Sequence, residues 1–563
     1  MGVTINTPDA TSTATTNKSL SKKEIRSKFL SDFKARIDGQ LDKLYLFYGR
    51  PYDFDSPNTG PLPEPIDSIS DDASIRKAIM ALKLIRPEDV TLAIRRIEWT
   101  TGLKFDQYSN LIDLEDKNYY TFVKSQNKLY ICLNNNNGAT SVTEPNSSDG
   151  TPFTTADGYK WKLLIDYNSS VIRKFSATTH LPLPIKGSEQ IKVSTTGGQI
   201  ERLELTDDSP PGRGDYSDFD GSPENEVPFF IKGDGDDVRT GRASIATIEA
   251  TTLVSATITN AGTGYYNDST RGTVPVEFRL TDPSSANTES TPFKLAYGLA
   301  TITNGTITAL EVVNSGSGYP DSGTLTIVQS SAIAYATLDS GDRIASTVIE
   351  KPGANFRTAT VVSIAGDAVS DAEDADSYIQ PIISPFGGHG SNLQSELSAT
   401  SLFLNIRVSS DTSEFTQTND FRQIGIISNV KDTLGANIPN ESIDATTSAT
   451  LVAGSEMEFS SISADAIIEG RDSLHTANIV DLNETSTTTT MRYLNSQEVP
   501  YGNTFNNSEV VDFDSATGNG FTISNITKPV IDIFSGDILF INNNTAILRN
   551  AEQTETINFI FNF

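Results

Sequence analysis

The sequence predicts a mainly-β protein with an α+β N-terminal region, made of antiparallel β-sandwich-type domains, flanking helices and an inserted β-repeat module. Three observations point there. Short apolar runs with a period of two recur from Val90 to the C-terminus. A glycine-punctuated unit repeats three times within residues 243–370. Two stretches before Pro87 carry a helical period, and a short helix-like segment ends the stretch Ile383–Leu397. Length and composition fit several domains: the chain has 563 residues, of which 37% are hydrophobic, enough to build real cores. The expected division is a flexible arm (1–20), a first core part (21–190), an acidic loop and connector (191–242), the repeat module (243–370) and a β-rich part completing the core (371–563).

Residues 1–18 are rich in Thr, Asn and Ser, the composition of a flexible tail. A helix follows. Ser21 and Glu24 have capping-box spacing, and Ile25, Phe29, Phe33 and Ile37 recur at helical period. Lys22, Lys23, Arg26, Lys28, Lys34 and Arg36 cover its other faces, either as a solvated surface or as a docking helix for an acidic partner. Leu44–Gly49 reads as a buried strand and Pro51–Pro65 as an extended loop. A second helix begins near Ser70–Asp72, carries Ile75, Ile79 and Leu82, and must stop before Pro87. From Val90 towards Trp99 the period is two. Tyr119–Val123 and Lys128–Leu133 flank a hairpin turn, Asn134–Gly138 turns again, and Tyr159–Asp166 is a strand.

Residues 206–240 have the Pro, Gly and Asp composition of exposed loops, and no aspartate run there fits the EF-hand calcium spacing. In the repeats each unit is a strand, a turn, a second strand, a glycine corner and a third strand. The corners are Gly262, Gly264 and Tyr265; Gly316, Gly318 and Tyr319; and Gly353, Asn355 and Phe356. Glycine supplies tight or left-handed backbone, and the aromatic folds over it. The first corner lacks the last glycine and the following helix of a dinucleotide loop. Such repeats predict stacked β-modules. They carry no tryptophan to stack a sugar, since Trp99 and Trp161 both precede them. Beyond the module, Ser401–Val408 and Phe421–Ile427 are strands, and residues 440–510 read as exposed antiparallel structure. Ile531–Phe534 and Ile538–Ile541 form a hairpin, Asn542–Thr545 a turn, and Thr556–Phe563 a strand apolar enough to belong inside a sheet.

Candidate chemistry is sparse. Lys and Arg number 43 against 72 Asp and Glu, a net charge of −29 that disfavours nucleic acid and anionic membrane as partners. No secretory signal pattern and no membrane-length apolar run occurs. The single cysteine, Cys132, lies in an apolar run and reads as a core residue. His180, His389 and His475 each stand apart from other metal-ligand residues, so neither a metal nor a cofactor is expected. The best catalytic candidate is His389 in Gly387-Gly388-His389-Gly390, with Glu396, Asp420 or Ser391 as conceivable partners. A glycine-rich turn is a poor place to preorganise a base. Those four residues therefore read as a structural turn joining the repeat module to the core, with no catalytic residue.

Several longer segments carry a resemblance: LYLFYGRPYDF (44–54), DDASIRKAIMALKLIRPEDVTLAIRRIEWTTG (71–102), NKLYICLNNNNGATSVTEPN (127–146), TTADGYKWKLLIDY (154–167), ISPFGGHGSN (383–392), NDFRQIGII (419–427) and SGDILFINNNTAILRNAEQTETINFIF (535–561). In this order, over roughly half the chain, they resemble the baseplate wedge proteins of T4-like contractile-tailed phages, the component numbered eight in that scheme. The resemblance implies a non-enzymatic virion subunit of the tail baseplate, mostly β, made in the host cytoplasm. It implies that the subunit dimerises and contacts other wedge proteins, with no small-molecule substrate. The competing expectations are a receptor- or glycan-binding tail protein and a glycan-cleaving tail enzyme.

Overall fold

The structure is a computed structural model. It describes residues 22–39, 41–51, 64, 68–175, 177–205, 226–287, 292–340, 343–364, 379–408, 420–438, 442–452, 466–485, 488–496, 503–513, 520–548 and 553–563. The arm, the capping pair at Ser21 and most of the acidic loop lie outside the described residues. The chain divides into two compact units, residues 1–93 with 400–563, and residues 94–399. This differs from the expected division, because residues 94–190 belong with the repeats rather than with the N-terminal core.

In the first unit, Leu44–Gly49 is a central strand with all six residues buried. It pairs antiparallel with Ile79–Leu84 on one side and Asp420–Ser428 on the other, so that Phe47 lies opposite both Leu82 and Gly425. A Cβ at Gly425 would stand 2.2 Å from the Phe47 ring, which explains glycine inside a strand. Ser442–Asp444 and Asp537–Leu548 form the sheet's two edges.

The second helix is shorter than its apolar spacing predicts. It runs Ile69–Lys77, with the Ser68 hydroxyl accepting from the Asp71 N–H. Ile79 and Leu82 lie on the following strand instead. Arg76 ties the helix end to the carbonyls of Ile533, Ser535 and Gly536. Ile79–Leu82 then supply four consecutive buried residues, which suit a strand covered on both faces and not a one-sided helix.

The helix Lys22–Asp38 buries Leu30 and Ile37, and packs Phe33 against the same core cluster as Leu46, Leu404 and Phe561. In a second sheet, Ser401–Val408 pairs with Val90–Ala93 on one side and with Glu555–Asn562 on the other. The terminal strand is therefore an edge: among the described residues nothing pairs with its outer side. Two local expectations also change. Ile531–Asp532 pairs with Lys431–Asp432, so the predicted hairpin arms at 531 and 538 take separate partners. Asn542–Thr545 does not turn the chain. It sits inside the strand Asp537–Leu548, where the register jumps between Phe421–Ile547 and Gln423–Asn543 as a bulge.

The Thr- and Ser-rich region from 447 to 527 is a closed six-stranded barrel, not an open exposed sheet. Its strands are Thr447–Leu451, Ile467–Gly470, Thr476–Glu484, Thr489–Asn495, Val510–Phe513 and Gly520–Thr527. Ala449, Ile468, Ile479, Met491, Tyr493, Phe521 and Ile523 fill it. Period-two alternation gives the inside of a barrel and one face of a sheet the same signature, and closure leaves no local mark.

The second unit begins with the antiparallel sheet Tyr120–Val123, Lys128–Asn134, Lys160–Asp166 and Phe153–Thr154. Tyr130, Cys132, Trp161 and Leu163 form its core. The three repeats have the predicted strand–strand–corner–strand form: 238–249, 252–260 and 273–280; 296–303, 306–314 and 324–329; 332–338, 344–352 and 359–363. They do not stack in a row. Repeats one and two exchange third strands. Thr273–Leu280 pairs with Ala296–Thr303 of repeat two, and Thr324–Gln329 pairs with Val238–Glu249 of repeat one. One six-stranded sheet results. The third repeat pairs instead with Glu226–Gly233, which lies between its first and third strands.

Candidate functional site

Each repeat corner is built alike. Gly262, Gly264, Gly316, Gly318, Gly353 and Asn355 all take positive φ, between 56° and 87°. Tyr265 and Tyr319 are buried. The Tyr319 hydroxyl accepts from the Ala296 N–H at 2.8 Å and donates to the Phe278 carbonyl at 2.6 Å. The Tyr265 hydroxyl accepts from the Gly241 N–H at 2.8 Å and donates to the Ile327 carbonyl at 2.7 Å. Each ring thus splices two strands of neighbouring repeats. At the third corner, the Phe356 ring lies where a Cβ on Gly235 would be, at 2.5 Å. These are packing devices that commit both tyrosine hydroxyls to backbone groups.

The turn at Gly387–Gly390 is different. Gly388 and Gly390 have φ of 82° and 89°. The segment 192–198 lies against them: the Ser194 N–H donates to the His389 carbonyl, and a Cβ on Gly388 would meet the Ser194 carbonyl at 2.8 Å. Gly197 and Gly198 extend this contact. A Cβ on Gly197 would stand 2.0 Å from the Phe386 carbonyl, and one on Gly198 would stand 2.6 Å from the Phe356 backbone. The third repeat corner donates to the same pair, from Asn355 N to Gly197 O and from Phe356 N to Gly198 O. The doublet Gly197-Gly198 is the partner that sequence reading passed over; its signal was a Gly-Gly pair in a Thr-rich stretch.

His389 is buried between two carboxylates. Its Nε2 is 2.7 Å from Glu201 Oε1, and its Nδ1 is 2.5 Å from Glu396 Oε1. The second oxygen of Glu396 accepts the Gly390 N–H at 2.7 Å. The Tyr108 ring meets the imidazole edge-on at 4.8 Å. The Tyr119 hydroxyl donates to the Glu396 carbonyl, and Asn392 caps the short helix Leu393–Glu396 that delivers the carboxylate. Of the partners expected from sequence, only Glu396 reaches the ring. Asp420 pairs with Arg50 and Arg422 in the other unit. Glu201 lies 188 positions away in sequence, and nothing local announced it.

Burial alone would lower the His389 pKa, but the charges of Glu201 and Glu396 outweigh it and push the value up to about 10. The ring is therefore an imidazolium at neutral pH, with both N–H groups committed. Lys162 lies nearby and is fully buried, with Nζ 2.6 Å from the Lys192 carbonyl. Burial lowers its pKa to about 8, partly offset by Glu396 and Glu201. Glu201 and His389 also line a cleft of about 410 Å³ with Asp149, Lys192, Gln199 and Ser384.

The other candidates stand apart from this cluster. The His475 Nε2 is 2.9 Å from Asn495 Oδ1, and burial lowers its pKa. His180 Nδ1 pairs with the Thr179 hydroxyl. Cys132 is buried, and burial raises its thiol pKa far above the usual range. Among the described residues, no group of His, Cys, Asp and Glu is arranged to hold a metal.

The expected docking stripe splits. Ile37 is buried and Phe33 packs on the core, while Ile25 and Phe29 are 43% and 52% exposed. The inward face runs through Leu30, one position off the predicted stripe. Lys28 and Lys34 pair with Asp32 and Asp38, and Arg36 with Asp42, so these charges are balanced within the helix and the turn after it. No family model and no curated protein matches the chain.

Proposed function

We propose that the chain is a structural subunit of a contractile phage tail baseplate wedge. It joins itself, as a dimer, to other wedge proteins during tail assembly and baseplate rearrangement, and it performs no reaction. It acts in the virion, without nucleic acid, membrane or small-molecule partner. The observation that carries the non-enzymatic part of this reading is the position of His389 between two carboxylates. An imidazolium held between Glu201 and Glu396 has no lone pair with which to act as a general base, and both its N–H groups are already committed to carboxylates. The segments carrying the resemblance lend support. Leu44–Gly49, Ile79–Leu84, Asp420–Ser428 and Asp537–Leu548 are neighbours in one sheet, so the likeness falls on three inner strands and one edge strand of it.

The test is co-expression with the neighbouring tail genes, followed by measurement of mass and stoichiometry. A complex containing two copies of this chain is the expected result. A stable trimer that binds host polysaccharide, or no complex with any tail protein, overturns the reading.

A further inference from the structure

We infer that the C-terminal strand Glu555–Asn562 is the seam at which a second copy of this chain joins, edge to edge about a two-fold axis. The inference rests on the dimeric reading above and names its surface.

Among the described residues, the strand from Thr556 to Asn562 pairs on one side only, with Ser401 to Arg407. Its outer edge therefore presents a row of backbone N–H and C=O groups. Exposed edges are normally guarded by lysine, proline, bulges or inward charges. ETINFIFN has none of these; its one charge, Glu555, lies at the first position. The face is unfinished as well. Ile557, Phe559 and Phe561 pack against the core yet stay partly exposed. Phe540 meets Phe559 and Phe561 edge-on at 5.4 and 5.5 Å, so an aromatic cluster sits at the rim of the sandwich.

The strand is complementary to itself. A two-fold axis perpendicular to the sheet places residues of equal parity opposite each other, because side chains facing each other across a ladder share a face. Centred on Phe559, it sets Ile557 opposite Phe561 and Thr556 opposite Asn562, and Phe559 meets its own copy. The apolar row then continues across the seam, and no like charges face each other. The patch also continues past the strand end. Phe563, 39% exposed, contacts Phe29, 52% exposed, at 5.4 Å, with Ile25 beyond it on the same helix. Those side chains flank the place where the second copy's strand begins. An extended segment from another protein would gain the backbone bonds, while self-pairing matches the apolar rows with residues already present.

The test uses the full chain and two charge variants, Thr556→Lys with Asn562→Lys and Thr556→Glu with Asn562→Glu. Both sites are exposed. Thermal melting by circular dichroism checks that each variant folds. The wild type is expected to sediment as a dimer at micromolar concentration. Each variant alone should dimerise at least tenfold more weakly. An equimolar mixture should recover a dimer with one copy of each, since the axis through Phe559 sets position 556 opposite position 562. A monomeric wild type, as when residues 1–21 or a segment of another wedge protein fill the edge, overturns the proposal. So does a dimer indifferent to both charge pairs. Either result leaves the wedge reading standing if the tail complex still forms. A wild type that dimerises through this edge but binds no tail protein overturns that reading and not this one.

Discussion

The corner at Tyr319 and the turn at His389 use the same parts. Each sets glycines at positive φ around one buried ring. They differ in what satisfies the ring. Tyr319 is held by backbone groups of adjacent strands, 23 and 41 positions away, in a neutral arrangement. His389 is held by two carboxylates, one seven positions away and one 188. Backbone partners come with the sheet itself, so a corner can be repeated wherever strands repeat. Ionic partners must be delivered by separate segments, so the turn is single and its removal leaves charge behind.

The sharpest way to break this contrast is His389→Ala. It leaves Glu201 and Glu396 buried without their cation, and breaking a buried pair costs roughly 3–5 kcal/mol. Both tryptophans of the protein, Trp99 and Trp161, lie in residues 94–399, so urea unfolding followed by tryptophan fluorescence reports this unit. The expected result is a marked drop in the urea midpoint, partly recovered when Glu396→Gln is added. A drop no larger than that of a corner variant would mean that the ionic turn is only another corner.

The corners should lose less. Tyr319→Phe leaves the Ala296 N–H and the Phe278 carbonyl buried without the hydroxyl, a cost of about 1–3 kcal/mol, and Tyr265→Phe should match it. If either variant unfolds at the wild-type midpoint, the hydroxyl is not a splice. Glycine substitutions divide the same corners further. Gly316→Ala would set a Cβ 2.4 Å from the Lys294 carbonyl, whereas Gly264→Ala meets nothing within 4 Å. Gly264→Ala should therefore cost only the backbone strain, roughly 1 kcal/mol, and Gly316→Ala clearly more. Equal effects would show that overlap at Gly316 is relieved by movement.

This difference also explains what the sequence could tell. Corner geometry is local: glycines two apart before an aromatic predict positive φ and a folded-over ring from one short window. The β class was legible for the same reason, since period-two alternation is a short-range signal. Long-range pairing was not. Nothing near His389 pointed to Glu201, nothing in Thr447–Thr527 announced closure into a barrel, and nothing in two similar repeats said that they exchange third strands. Ile79 and Leu82 fit a helical stripe until the chain had a central strand at Leu44–Gly49 to pair with. The inward face of the first helix shares Phe33 and Ile37 with the predicted stripe but takes Leu30 where the stripe had Phe29.

The last expected effect is on pH dependence, where two groups of the ionic cluster oppose each other. The His389 pKa is raised from 6.5 to about 10, so its stabilisation is complete below about pH 6.5 and is lost as the pH rises through about 10. The Lys162 pKa is lowered from 10.5 to about 8, so its burial penalty is complete below about pH 8 and is relieved as the pH rises towards 10.5. Stability of this unit should therefore fall between about pH 6.5 and 8, where histidine acts alone, and then level off as lysine relief offsets histidine loss. Lys162→Met removes the offset, and its urea midpoint should keep falling to about pH 10. The corners carry no ionic pair at their rings and offer no such slope. A wild-type midpoint that rises from pH 6.5 to 8 would remove the imidazolium from the account, and with it the distinction between this turn and the corners.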